Sequence, residues 1–274
     1  MKKFIAPLSL ILFAFVCTYA KTDIKALLEK ARKGDIQAQN AVGEYYADGG
    51  EGEFQPNFIL ANEWWAAAAK GGSTQALTNL GASYFAGRGT QSDVREAARL
   101  WLEAAKRGDA EAQYFIGTLY SRGIGVYRDY PTAAFWWNKA AEQGHARAQN
   151  NLAFAYANGR GVRERDIKKA VELWEKSALQ GNTKAQTYLA LSYFTGDGVK
   201  KDMAKAVDLW RIAADKGDAE AARYAGIAYA SGQGVAMDKK KALDYFYKAS
   251  RLGDKEAAKL AENLRIDLGS EALK

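Results

Sequence analysis

The chain has 274 residues, 48% of them hydrophobic, which is enough to build a sizeable core without the help of disulfide bonds. Its 39 Lys and Arg residues exceed its 32 Asp and Glu residues only mildly, and the two kinds are interspersed, so nucleic-acid binding is not expected. Cys17 and His145 are the only Cys and His, which excludes the clustered ligands that zinc and other transition metals require.

The chain begins with the pattern of a secretory signal peptide. Lys2 and Lys3 form a short basic region, an almost wholly apolar run follows from Phe4 to Val16, and small residues precede a cut after Ala20. The apolar run is shorter than the roughly 20 residues that a membrane-spanning helix needs. Residues 1–20 are therefore predicted to be removed, leaving no stable membrane insertion.

The mature chain is expected in the periplasm or outside the cell. Cys17 follows Phe15-Val16 instead of the small residue that usually precedes a lipidated cysteine, so a lipoprotein is the less favoured alternative. Without Lys2 and Lys3, 37 basic residues face 32 acidic ones, a net charge of about +5. The mature chain has no cysteine.

After residue 20 the sequence repeats itself about every 36 residues. A glycine recurs at steps of 38, 36, 36, 37, 36 and 36 residues, at Gly34, Gly72, Gly108, Gly144, Gly181, Gly217 and Gly253. Counting from this glycine, position +1 is mostly Asp, Asn or Ser, +4 is always Ala, and +9 is Gly or Ala with Tyr at +12 in the first six repeats. Position +1 suits an N-cap, and the other three share a helix face. Each repeat is predicted to open with one helix, helix A.

A second helix, helix B, is predicted after a Gly-x-Gly loop in most repeats. Glycine permits the positive φ that ends helix A, and an Asp opens helix B. Seven residues before the next repeat glycine, helix B carries a large aromatic residue, at Trp65, Trp101, Trp137, Trp174, Trp210 and Phe246. We interpret these aromatic residues as core packing rather than as a cofactor-stacking site. A phosphate-binding loop would need a preceding strand, so no cofactor is expected.

The ends of the array depart from the repeat. Residues 24–33 resemble a shortened helix B, and the +9 and +12 positions of the last unit are the polar Glu262 and Arg265. The sequence predicts an all-α fold, a single solenoid domain over 21–274 with about six helix-turn-helix repeats and half-repeat caps at 24–33 and 254–274. The longer first loop, Asp48 to Glu53, accounts for the step of 38 residues.

Catalytic motifs are lacking. His145 occupies the N-cap position of its repeat and is predicted to be an exposed turn residue, and no Gly-x-Ser-x-Gly or Ser-x-x-Lys serine site occurs. No ladder of Asp residues resembles an EF-hand, although a calcium site built from scattered carboxylates stays open. We predict no catalytic residue, no metal and no cofactor.

The pattern Gly-Asp-x-x-Ala-x-x-x-Leu-Gly-x-x-Tyr, then Gly-x-Gly-Val, Asp and a helix ending Leu-Trp-x-x-Ala-Ala, closely resembles the Sel1-like repeat (SLR). This family is related to the tetratricopeptide repeat, and the resemblance covers residues from about 24 to 260. It implies a right-handed superhelical solenoid whose A helices line the concave surface. For exported members it implies adaptors, envelope regulators, mediators of host contact or immunity proteins against secreted effectors. A cysteine-rich branch linked to penicillin binding or β-lactamase activity is the disfavoured alternative, because the mature chain has no Cys.

Binding to a protein partner of unknown identity is the favoured function, because stacked repeats present extended surfaces whose variable positions give specificity. Positions +6 and +10 of helix A vary strongly and share a helix face. The candidate protein-binding residues at these positions are Tyr114, Phe154, Thr187, Leu191, Arg223 and Ile227. The alternative is that these side chains pack against the next repeat.

Overall fold

The computed structural model describes residues 24–50 and 55–271, and every regular element in these ranges is an α-helix. The signal peptide predicted for residues 1–20 and the loop residues 51–53 lie outside the described residues. In chain order the helices are α1 (Ile24–Arg32), α2 (Ile36–Asp48), α3 (Phe58–Lys70), α4 (Thr74–Ala86), α5 (Val94–Lys106), α6 (Ala110–Arg122), α7 (Tyr130–Glu142), α8 (Ala146–Asn158), α9 (Ile167–Leu179), α10 (Thr183–Thr195), α11 (Met203–Asp215), α12 (Ala219–Ser231), α13 (Lys239–Arg251) and α14 (Lys255–Glu271).

Helices α2 to α13 form six pairs, each with a helix A followed by a helix B, and this confirms the predicted all-helical repeat. The caps lie where the sequence places them. Asp35 and Asn182, for example, accept a hydrogen bond from the backbone N–H of the +4 Ala. At the other end of helix A, Gly159 adopts φ 64°, the left-handed conformation that ends the helix.

The aromatic residues of helix B lie in the core, as predicted. Trp101, Trp174 and Trp210 are buried, whereas Trp137 is half-buried. The indole N–H of Trp210 donates to the Thr187 carbonyl oxygen at 3.2 Å. In the four repeats with Gly at +9, the ladder aromatic packs on that glycine, so a Cβ at Gly117 would lie 2.7 Å from the Trp137 ring. Small +9 residues are therefore a packing requirement of the helix pair.

The described residues fall into two compact units, one ending at Asp109 and the other starting at Ala110. The first unit contains α1 to α5, and the second contains α6 to α14. Within each unit the extensive contacts join helices that are adjacent along the chain. The predicted single domain over 21–274 stays a prediction.

The last helix presents polar residues where earlier repeats present Gly and Tyr. Glu262 and Arg265 are both exposed and form an ion pair at 2.8 Å. Among residues 24–50 and 55–271, no helix combines the length and the apolar character needed to cross a membrane.

Candidate binding pocket between the third and fourth repeats

A pocket of about 330 Å³ opens between the A helices of the third and fourth repeats, α6 and α8. Its walls come from four aromatic residues, from the polar ends of both helices and from the loop after α8. We call it the Asn151 pocket, and its principal lining residues are Tyr114, Arg122, Tyr130, Trp137, Asn151, Phe154, Asn158 and Arg160.

The aromatic walls are fixed by packing. Phe154 meets the Trp174 ring edge-on at 5.4 Å between centroids and the Tyr188 ring at 4.4 Å. The Trp137 indole N–H donates to Thr118 Oγ1 at 3.4 Å. Because these rings are held by contacts within their own repeats and, for Phe154, with the next repeat, the apolar surface of the pocket is preformed.

Two arginine side chains give the pocket a positive charge. Arg122 and Arg160 are both exposed, and no carboxylate belongs to the described residues that line the pocket. The Arg160 guanidinium lies 5.0 Å from the centre of the Tyr130 ring, a cation–π contact that orients it.

The residue at position +7 of helix A decides whether such a pocket is open. In the fifth and sixth repeats this residue is Tyr188 or Tyr224, whose ring stacks on Trp174 or Trp210 at 5.8 and 5.1 Å respectively. In the fourth repeat it is Asn151, which leaves the corresponding space empty. The prediction from the sequence rests on +6 and +10 and misses +7. Position +7 is Asn in the second and fourth repeats and a large aromatic residue in the third, fifth and sixth, a contrast that could have identified the site.

The first unit contains an equivalent pocket of about 290 Å³ between its first and second repeats. Asn79 stands in the place of Asn151, Phe58 in the place of Tyr130, and Arg88 lies 5.3 Å from the Phe58 ring as Arg160 does from Tyr130. The charge differs, because Glu44 and Asp48 replace Thr118 and Arg122. We call it the Asn79 pocket.

The Asn79 pocket raises the pKa of the Glu44 carboxyl group. Burial raises its pKa above the usual range, and the neighbouring Asp48 raises it further. Hydrogen bonds from Asn40 and Asn79 oppose the change without cancelling it. With Glu44 and Asp48 beside Arg88 in its lining, the Asn79 pocket carries a more negative formal charge than the Asn151 pocket does.

Two of the six predicted binding residues meet in the Asn151 pocket. Tyr114 and Phe154 both line it. The Tyr114 ring also stacks on His145 at 4.9 Å and lies 4.7 Å from the Arg147 guanidinium, so only part of its surface faces the pocket.

The other four predicted residues lie outside this pocket, and each is wholly or partly buried. Thr187 is fully buried and its hydroxyl donates to the Thr183 carbonyl oxygen, so its placement on a binding surface was wrong. Arg223 forms an ion pair with Asp254 at 2.9 Å, with both side chains largely buried. Leu191 and Ile227 are half-buried against the core. The burial and contacts of these four residues favour the alternative of packing.

His145 is not the exposed turn residue that the sequence predicted. Its side chain is 13% exposed. Nδ1 accepts from the Ala148 N–H at 3.1 Å, which leaves the proton on Nε2 to donate to Glu111 Oε2 at 2.8 Å. Burial alone would raise the pKa of Glu111, but its bonds to His145 and Arg147 lower it overall. His145 thus joins two repeats.

No group of three or more His, Cys, Asp or Glu side chains in the described part of the chain lies close enough to hold a metal ion. The geometry is instead that of a protein built from stacked helix pairs, with pockets between neighbouring pairs.

The chain belongs to the Sel1 repeat family, whose model matches residues 36–73, 74–109, 110–145, 146–182, 183–218 and 219–254. These six segments coincide with the six helix pairs. Sel1 repeat proteins generally mediate protein–protein interactions, and the family is mostly non-enzymatic.

Two solved structures resemble the chain along most of its length. A protective antigen present in uropathogenic Escherichia coli strains, displaying an SLR fold, is 31% identical with a TM-score of 0.78; the match covers 86% of this chain and 50% of that one, so the chain spans half of its length. A Sel1 repeat protein from Oxalobacter formigenes is 30% identical with a TM-score of 0.74, over 87% of this chain and 95% of that one. A search of curated proteins found no match.

Proposed function

We propose that this Sel1 repeat protein is an exported scaffold that binds a protein partner through the Asn151 pocket. The observation that carries the proposal is the open, aromatic-walled space that Asn151 leaves in the fourth repeat, since Tyr188 and Tyr224 fill the equivalent space in the fifth and sixth repeats. Interface anchors are typically aromatic or Arg side chains in well-packed pockets, and this pocket offers both kinds of residue.

The size of the pocket suits one or two side chains of a partner. A volume of about 330 Å³ lies at the lower end of the range for small-molecule sites, and its walls mix aromatic rings with a few polar groups. The partner belongs to one of three settings, namely envelope regulation, host contact or immunity to a secreted effector. Affinity capture from an envelope fraction with the tagged mature chain, followed by mass spectrometry, distinguishes these settings.

The substitution Asn151→Tyr tests the pocket with a residue that the chain itself uses at this position. The new ring is expected to stack on Trp137 as Tyr188 stacks on Trp174, so the fold is kept while the pocket is filled. The captured partner should bind at least tenfold more weakly in a titration by isothermal calorimetry.

The matched control is Asn79→Tyr, which fills the equivalent pocket of the first unit and should leave partner binding unchanged. Circular dichroism checks that both variants fold. If Asn151→Tyr folds normally and binds the partner as tightly as the parent chain does, the pocket is not the binding site.

Export is part of the proposal and has its own test. The basic start and the apolar run up to Val16 place the mature N-terminus at Lys21. N-terminal sequencing of the protein purified from its native cells should read Lys21 first. An intact Met1, or a lipid on Cys17, would contradict a cleaved and freely exported chain.

A further inference from the structure

We propose that the Asn151 pocket selects an acidic peptide segment of its protein partner, one in which an Asp or Glu side chain lies next to an apolar side chain. This inference rests on the proposed function, because it specifies what occupies the same pocket. It is carried by the charge of the pocket, by the way Arg160 is held and by the contrast with the Asn79 pocket.

No acidic side chain among the described lining residues balances the positive charge of the pocket. Arg122 and Arg160 are both on the rim, and the described lining residues contribute no carboxylate. The nearby Asp129 is engaged as the N-cap of α7, where it accepts from the Thr132 N–H at 3.2 Å and from its hydroxyl at 2.6 Å. A guanidinium fork matches the two oxygens of a carboxylate, so a partner carboxylate supplies the missing acceptors.

One of the two cationic groups, Arg160, is partly oriented before a partner arrives. Its guanidinium lies 5.0 Å from the centre of the Tyr130 ring, which itself lines the pocket. A side chain held in this way loses less rotational freedom on binding than a free one does. This arrangement favours a defined ionic contact over diffuse attraction.

The rest of the pocket fits a peptide better than it fits a small inorganic anion. The rings of Phe154 and Trp137 form an apolar wall that a free phosphate would leave uncovered. The Asn151 side-chain amide offers N–H donors of the kind that pair with a peptide carbonyl, while its oxygen accepts from the Asn150 amide at 3.4 Å. An acidic residue beside an apolar one satisfies the charged rim and the apolar wall together.

The Asn79 pocket shows that the positive charge does not follow from the repeat fold. That pocket keeps the amide and the ring-bound arginine, Asn79 and Arg88, yet has Glu44 and Asp48 where the Asn151 pocket has Thr118 and Arg122. Both arrangements are compatible with the same packing. An acidic segment is therefore repelled by one pocket and attracted by the other.

A random peptide library displayed on phage and selected on the complete mature chain tests the inference. Peptides recovered on the parent chain should be enriched in Asp or Glu adjacent to Phe, Trp or Leu. In fluorescence anisotropy, replacing the acidic residue of the best peptide by Lys should weaken binding at least tenfold. The variant Arg122→Asp, which introduces the residue found at the same place in the Asn79 pocket, should weaken it equally.

Lys240→Asp provides the matched control, since it changes the net charge by the same amount at an exposed site outside the Asn151 pocket. It should leave peptide binding unchanged. If Lys240→Asp weakens binding as much as Arg122→Asp does, the attraction is diffuse and the inference is wrong.

The variant Asn151→Tyr separates this inference from the proposed function. If the recovered peptides have no acidic bias and bind Asn151→Tyr more weakly than the parent chain, the pocket is supported as the binding site and the acidic segment is overturned. Acidic peptides that bind Asn151→Tyr as tightly as the parent would overturn both. Failure to recover any peptide, or binding of inorganic phosphate or anionic lipid vesicles in its place, would overturn the acidic segment as well.

Discussion

The residue at position +1 has two roles that the sequence showed only in part. It caps its own helix A, as predicted, and it also contacts the preceding repeat. Thr78 donates to Asp109 at 3.1 Å, and Arg223 pairs with Asp254. In both pairs the +6 residue therefore contacts the +1 residue of the next repeat. The sequence alone predicts a partner-binding role for +6, because a single sequence does not show which neighbouring residue each position contacts.

His145 provides the sharpest test of this double role. His145→Ala removes both the cap of α8 and the bond to Glu111, and should lower the free energy of unfolding by about 1–2 kcal/mol. His145→Asn is the matched control, because Asn182 is an effective cap at the same position of the next repeat. The free energy of unfolding of His145→Asn should fall by less than half of the loss in His145→Ala. Urea denaturation measures both, and a His145→Ala variant as stable as the parent would mean that neither contact contributes.

At the scale of helices and loops, the sequence predicted nearly everything that depends on spacing within one repeat. Helix pairs, their N-caps, the glycine turns and the buried ladder of Trp174 and Trp210 all follow from offsets counted along the chain. The pocket did not follow, because it depends on how the +7 side chain of one repeat meets the tryptophan of the repeat before it. This contact depends on how two repeats stack, and offsets counted within one repeat do not predict stacking.

The second glycine of the Gly-x-Gly loop has a requirement of its own. A Cβ at Gly161 would lie 2.2 Å from the carbonyl oxygen of Tyr130 in the preceding repeat, and its φ is +76°. Gly144 has a φ of +88° but nothing within 4 Å of a Cβ. Gly144→Ala should therefore lower the free energy of unfolding by about 1–2 kcal/mol, because alanine disfavours the left-handed backbone conformation. Gly161→Ala should cost about 1–3 kcal/mol more, because the two repeats must move apart.

Thermal or urea unfolding of Gly144→Ala and Gly161→Ala, each compared with the parent chain, measures the difference. Equal losses of stability in the two variants would show that the loop can move away from Tyr130 at no cost. The close approach would then not be a constraint on how the third and fourth repeats stack.

At the scale of the molecule, the arrangement of contacts sets how stability is distributed. Within each unit the extensive contacts link only helices that follow one another along the chain. Repeat proteins of this kind have stabilities close to a sum of repeat and nearest-neighbour terms. A local defect should therefore weaken adjacent helices more than distant ones.

Trp174→Ala tests this distribution in the middle of the second unit. Trp174 is 4% exposed and packs against Phe154 and Tyr188 of the flanking A helices. Its truncation should cost about 3–5 kcal/mol, as is usual for a large buried aromatic side chain. Hydrogen–deuterium exchange should show the greatest loss of protection in α8, α9 and α10, with α13 much less affected.

Tyr127→Ala is the control for this experiment, because Tyr127 is 96% exposed and its truncation should change neither stability nor exchange. A uniform loss of protection from α6 to α13 in Trp174→Ala would contradict the nearest-neighbour picture. It would mean that the second unit unfolds as one cooperative body. A substitution such as Asn151→Tyr would then have to be compared with the parent for global stability before any loss of binding is assigned to the pocket.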